Sequence, residues 1–190
     1  MKYYLLKIPK ITRYLLLTML AVYILQHMIN LHFFVLQPIG GGFNPIQLVS
    51  YAFLHADFFH LLFNAFALWM FGSEIENYWG EKKYLMYALV CIIGAAITHM
   101  LFDNSNVIGI SGLVFGLLLA FGMMWPNRMI LLVLPPIPIK AKYMVMGYGV
   151  LLLFNIVSSA SDSIAHFAHL GGAISGFLLI QYWRKKPPFS

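Results

Sequence analysis

Six apolar runs dominate this 190-residue sequence: roughly Tyr14–Leu31, Phe58–Ile75, Tyr84–Leu101, Val107–Trp125, Tyr143–Val157 and Ile164–Trp183. A helix needs about 20 mostly apolar residues to cross roughly 30 Å of hydrocarbon, so each run is read as a membrane span, several at the short end of that range. Only 9% of the residues are charged, against about 25% in a soluble domain. So little charge cannot cover a globular surface, and lipid is the expected solvent. The expectation is an all-α membrane protein, a six-transmembrane-helix bundle forming a single domain over residues 1–190, with short basic tails at 1–13 and 184–190.

The positions of the charges support the count. Lys2, Lys7, Lys10 and Arg13 precede the first run. Lys82 and Lys83 fall between the second and third, and Arg128, Lys140 and Lys142 between the fourth and fifth. Arg184, Lys185 and Lys186 follow the sixth; these make up all 12 basic residues. With six spans they share one side, and the connections on the other side carry Asp57, Asp103 and Asp162 with no Lys or Arg. The positive-inside rule then puts both termini in the cytoplasm, and the net charge of +6 needs no nucleic-acid partner. No small-x-small cleavage site follows the first run, which is read as an uncleaved span. The long connection His32 to Asp57 carries Gly40-Gly41-Gly42 and two prolines, yet is rich in Phe, Leu and Val; that suits a segment lying in the interface. Cys91 is the sole cysteine, which excludes an internal disulfide.

Polar side chains gather near the outer ends of three inward-running spans. His60 and Asn64 share one face of the second. Ser111 is expected about four residues, or roughly 6 Å, into the fourth. His166 and His169 lie about 4 to 9 Å into the sixth. Strongly polar groups inside a membrane are costly and functional by default. Gly112 and Gly116 on the fourth span, and Gly172 and Gly176 on the sixth, are spaced for close helix approach. If these faces meet, Ser111 and His169 come within hydrogen-bond reach, the arrangement in which an imidazole removes a serine proton and activates the oxygen. His60, Asn64 and the Ser111 backbone N–H supply donors for an oxyanion. No carboxylate shares this depth, so the expected site is a dyad, with Phe115 placed to pack under the imidazole.

These residues resemble the rhomboid family of intramembrane serine proteases. The resemblance runs from about Asn44 onward, through F-L-H-A-D-F-F-H-L-L-F-N (Phe53 to Asn64), G-I-S-G-L-V-F-G (Gly109 to Gly116) and A-H-L-G-G-A-I-S-G (Ala168 to Gly176). It implies a bacterial-type core of six helices, Ser111 as nucleophile, His169 as base, His60 and Asn64 as oxyanion hole, and Gly109, Gly112, Phe115 and Gly172 as supporting residues. Gly72, Glu76 and Gly80 resemble the family motif that closes the second helix. It further implies an endopeptidase without cofactor, acting on membrane proteins cut near a transmembrane segment towards the outer side, and a multi-pass protein of the bacterial inner membrane. Two positions depart from the family: Ile46 and Gln47 stand where rhomboids often have Trp-Arg, and Phe115 where they often have Tyr.

Other readings explain less. An inert rhomboid-like protein that binds membrane clients would usually lack the Ser or the His. A proton-linked channel or transporter lined by His60, His166 and His169 leaves G-x-S-G without a purpose. A catalytic zinc wants three protein ligands; H-E-x-x-H is absent, and no metal or cofactor is expected. Asp57, Asp103 and Asp162 lie in outer connections, which excludes an aspartyl intramembrane protease. The remaining polar groups are given supporting roles: His55 holding the loop, His166 structural or lining the water-filled entry, His27, His32 and His99 at the interface, and Glu76 capping or pairing near Lys82.

Overall fold

The computed structural model describes residues 8–131, 136–158 and 165–185. Six long helices follow one another: α1 (Lys10–Gln26), α2 (Phe58–Trp79), α3 (Glu81–Phe102), α4 (Ser111–Met124), α5 (Ala141–Val157) and α6 (His166–Lys185). Of these, α2 and α3 are long and apolar enough to cross a membrane by length and composition alone, whereas α4 and α5 are shorter apolar helices. A small antiparallel ribbon, β1 (Met129–Leu131) with β2 (Pro138–Lys140), joins α4 to α5. It was not foreseen, since the sequence pattern gave helices alone. Ile164, the expected start of the sixth span, and Asp162 lie outside the described residues.

α6 packs along both α3 and α4 at the centre of the bundle, and small residues make that possible. A Cβ added at Gly172 would sit 2.5 Å from the carbonyl carbon of Gly112. One added at Gly171 would meet the Gly94 carbonyl oxygen at 2.7 Å. The expected meeting of α4 and α6 through Gly112, Gly116 and Gly172 is therefore present. Gly176 instead faces α3, where a Cβ would meet the ring of Tyr87 and the Cys91 sulfur. The Tyr87 hydroxyl donates to the Gly116 carbonyl oxygen at 2.6 Å, a contact across the core that periodicity did not reveal.

Tertiary contacts move several helix ends from their expected places. α1 starts at Lys10, not Tyr14, because the buried Glu76 carboxylate accepts the N–H groups of Ile11 (2.8 Å) and Thr12 (2.7 Å) and the Thr12 hydroxyl (2.8 Å). These are first-turn donors with no acceptor in their own helix, and a negative charge there is favoured by the helix dipole. Glu76 is a cap, as expected, but its partner is α1 and not the Lys82 region. α2 continues through a π-helical stretch, Leu68–Gly72, and stops at Gly80, whose φ of +80° suits glycine and turns the chain at once into α3. Arg184 and Lys185 belong to α6 and not to a free tail. His99, in the last turn of α3, is buried, with Nε2 2.9 Å from the Ser105 carbonyl oxygen.

The connection from α1 to α2 is folded against the bundle. Gln47 is buried and ties it together. Its amide donates to the Phe33 carbonyl and its carbonyl accepts from Gln37 and Asn44 N–H. The loop also pairs with a distant segment: Leu36 and Val107 exchange backbone hydrogen bonds of 3.1 and 3.0 Å.

Candidate active site

The first element of the site is the start of α2. Asp57 has extended backbone and accepts the His60 N–H at 2.9 Å, the usual use of Asp as an N-cap. That cap sets the helix phase, so His60 and Asn64 stand one above the other. The His60 Nδ1 faces the Ala56 N–H at 3.3 Å. Because a backbone N–H can only donate, Nδ1 is the acceptor, and a neutral His60 then carries its proton on Nε2. Asn64 is almost fully buried and donates through Nδ2 to the His60 carbonyl oxygen at 2.9 Å.

The second element is the segment entering α4. Residues 107–110 are apolar and read as helix, but Val107 is held by Leu36, and the Gly109 N–H donates to the Tyr51 carbonyl oxygen at 2.9 Å. The Tyr51 hydroxyl in turn donates to the Ile92 carbonyl oxygen on α3 at 2.8 Å. Gly109 has φ +112°, a conformation open to glycine. A Cβ there would lie 2.8 Å from both Cε1 and Nε2 of His60. The glycine thus lets the imidazole edge lie against the backbone two residues before the serine. As a result α4 begins at Ser111 itself, and not a turn earlier. Ser111 belongs to the first helical turn, ahead of the first helical bond, from Val114 N–H to Ile110 O at 3.2 Å.

α6 supplies the third element. His169 Nε2 lies 2.8 Å from Ser111 Oγ. Three residues further along, Gly172 meets the Gly112 backbone, so the close helix crossing and the side-chain contact are one structural feature. The Phe115 ring stacks on the imidazole, centroids 4.3 Å apart and planes inclined by 11°. A cleft of about 790 Å³ between α2, α4 and α5 is lined by His60, Asn64, Ser111 and Phe115, with Tyr148 of α5 and Ile130 of the ribbon. Every residue expected at the site is therefore within one neighbourhood. His166 stands beside it, its ring 6.4 Å from that of His169. His55 is fully buried behind His60, ring centroids 5.0 Å apart, with burial, then the neighbouring His60, pushing its pKa down to about 4. Sequence reasoning missed Tyr148 and the clamps at Gln47 and Tyr51. Tyr148 and Gln47 are polar groups within apolar stretches, which is the signal that could have found them; the Tyr51 contact has no local signature.

Set beside known proteins, residues 43–186 match the rhomboid domain. Over 141 residues the chain is 33% identical to the rhomboid protease GlpG of Yersinia pestis (strain Pestoides F), covering 71% of this chain and 46% of that protein. The rhomboid protease GlpG of Yersinia enterocolitica serotype O:8 gives the same identity and coverage, and that of Yersinia pseudotuberculosis serotype I is 32% identical over the same length. The chain spans less than half the length of these curated relatives. With three quarters of its residues inside the matched domain and its helices arranged as described, the chain belongs to the rhomboid family.

Proposed function

We propose that this protein is an intramembrane serine endopeptidase, in which Ser111 is the nucleophile and His169 the general base of a catalytic dyad. The observation that carries the reading is the 2.8 Å contact between Ser111 Oγ and His169 Nε2 at the head of a cleft. The serine hydroxyl donates to Nε2, which leaves the imidazole proton on Nδ1. Oγ attacks a peptide carbonyl carbon while its proton passes to Nε2. The tetrahedral intermediate then expels the amine, which takes that proton back, and leaves an acyl-enzyme. Water repeats the sequence with His169 as base and releases the carboxylate.

Three donors belong to residues lining the cleft beside Ser111 and would serve the oxyanion. The Nε2–H of His60, set by the Ala56 contact, lies along the Gly109 backbone. The Ser111 N–H has no acceptor in its own helix. Asn64 uses one amide hydrogen on the His60 carbonyl and keeps a second. Removing one such donor typically costs about 10²–10³ in rate. Phe115 fixes the ring plane of His169 from below, where a Tyr would add only a hydroxyl.

The membrane reading follows from length. α4 has 14 residues, about 21 Å at 1.5 Å per residue, against roughly 30 Å of hydrocarbon. Trp125 and Arg128 follow its far end and mark an interface; Arg128 pairs with Glu74 at 3.0 Å. With that end at the cytoplasmic side, Ser111 lies several ångströms beneath the outer surface, reached by water through the cleft. Six spans with both termini cytoplasmic satisfy the charge distribution, in a bacterial inner membrane. The substrate is a membrane protein cut near a transmembrane segment, where its helix must unwind to expose a carbonyl; lipid is the solvent and no cofactor takes part.

A fluorophosphonate probe, which reacts with activated serines, tests the assignment together with cleavage of a single-span substrate in detergent. Wild type labels and cleaves; Ser111→Ala does neither, and His169→Ala loses both. Labelling or cleavage that survives Ser111→Ala would remove Ser111 from the nucleophile's role.

A further inference from the structure

Gln26, the last residue of α1, lies outside every motif named above and outside the residues matched to the family. Its side chain nevertheless makes a two-point contact with a backbone on the far side of the loop. Nε2 donates to the His55 carbonyl oxygen, and Oε1 accepts the His55 N–H at 3.2 Å. The His55 carbonyl and the Ala56 N–H belong to a single peptide unit. That unit is planar and trans, so the two groups point in opposite directions. Holding the oxygen towards Gln26 aims the N–H away from it, and the Ala56 N–H is the group that meets His60 Nδ1 at 3.3 Å. A donor on the oxygen also polarises the peptide and strengthens the N–H at its other end.

We infer that Gln26 is a positioning residue for the oxyanion donor: by gripping the His55–Ala56 peptide it holds His60 in the tautomer with Nδ1 bare and Nε2 protonated. This rests on the proposed role of His60. Nε2 lies against Gly109, so in the opposite tautomer a lone pair, and not a hydrogen, would face the developing negative charge. A rotated peptide would present its carbonyl oxygen to Nδ1 and favour that wrong tautomer. The first helix, far from the motifs in sequence, thereby sets the polarity of the site.

The test uses two readouts on the full chain in detergent. Nitrogen-15 spectra of histidine-labelled protein, at a pH of about 8 where ordinary imidazoles are neutral, report which ring nitrogen carries the proton. The His60 signals are assigned by their loss in His60→Ala. Wild type is expected to show Nε2–H alone. Gln26→Leu and Gln26→Glu both remove the donor to His55 while keeping the side-chain size, and should both show a growing Nδ1–H population. Their kcat on a single-span substrate should fall about tenfold with KM unchanged, short of the 10²–10³ that losing a donor outright costs. In a His60→Ala background the same changes should have no further effect, because coupled groups are non-additive. An unchanged His60 tautomer in both variants, or an equal loss with and without His60, overturns the inference. Should Ser111→Ala retain cleavage, the proposed site and the oxyanion role of His60 fail together; the His60 tautomer compared with and without Gln26→Leu still decides whether Gln26 holds the ring.

Discussion

Gly172→Ala tests the claim that helix contact and site geometry are one thing. The added methyl would stand 2.5 Å from the Gly112 carbonyl carbon and 2.8 Å from its Cα, and closer still to its carbonyl oxygen. Carbon atoms rest about 3.5 Å apart or more, so the shortfall is roughly 1 Å. The obstacle is the backbone of α4, which has no rotamer to change. α6 therefore has to retreat from α4 by about that distance. His169 rides on α6 one turn away, and its 2.8 Å contact with Ser111 stretches beyond hydrogen-bond range. Misplacing a reacting group by 1 Å costs about 10²-fold in rate, and overpacking of this kind costs about 1–3 kcal/mol of stability. Cleavage of a single-span substrate and the rate of fluorophosphonate labelling should both drop about a hundredfold, in protein that still elutes as a folded species. Gly147→Ala is the control, since a Cβ there meets nothing within 4 Å and alanine suits a helix better than glycine by about 1 kcal/mol. If Gly172→Ala labels and cleaves like Gly147→Ala, the close crossing does not set the dyad distance and the reasoning is wrong.

Two further expectations concern stability. Glu76→Ala leaves two backbone N–H groups and the Thr12 hydroxyl without their buried acceptor; at about 1–3 kcal/mol per unsatisfied group, the loss should reach about 3 kcal/mol or more, read as a lower denaturation midpoint, and an unchanged midpoint would mean that α1 is held by other contacts. His55 is kept neutral in the fold because burial, and secondarily the nearby His60, lower its pKa to about 4, while the unfolded chain protonates near 6.5. The unfolded state thus binds more protons between these values, so the stabilisation is complete above about pH 6.5 and is lost as the pH falls towards 4, by up to about 1.4 kcal/mol per pH unit. Thermal midpoints measured across that window should fall for wild type and stay flatter for His55→Phe; parallel curves would contradict it.

Some of this architecture could be read from residue order and some could not, and the division is physical. His60, Asn64, Ser111 and His169 stand out because a polar group in an apolar helix is conspicuous, and Gly112 with Gly172 because close contact demands small residues at regular spacing. Both signals are local. Gln26, Gln47 and Glu76 were not assigned their partners because each binds backbone groups of another segment, and backbone groups are the same in every sequence. The ribbon of Met129–Leu131 with Pro138–Lys140 was missed for a related reason: a short apolar stretch rich in proline fixes no period. Hydropathy also placed the start of α4 at Val107, since an extended apolar residue and a helical one look alike until the partner strand, here Leu36, is known.

That last difference bears on the chemistry. An α4 begun at Val107 would bury Ser111 in the second turn, with its N–H spent on a helical carbonyl and its hydroxyl beside its own backbone. By starting at Ser111, the helix leaves that N–H free of its ladder and opens the space above the serine. The cost is a non-helical stretch before it. At membrane depth such backbone is tolerated only where protein or a water-filled cavity satisfies it. The exchange between Val107 and Leu36, the bond from Gly109 to Tyr51, and the anchor from Tyr51 to Ile92 meet that demand. Under the proposed function, the folded first loop, held in turn by Gln47, is a condition for the placement of Ser111, and loosening it should slow catalysis even where no loop residue touches substrate.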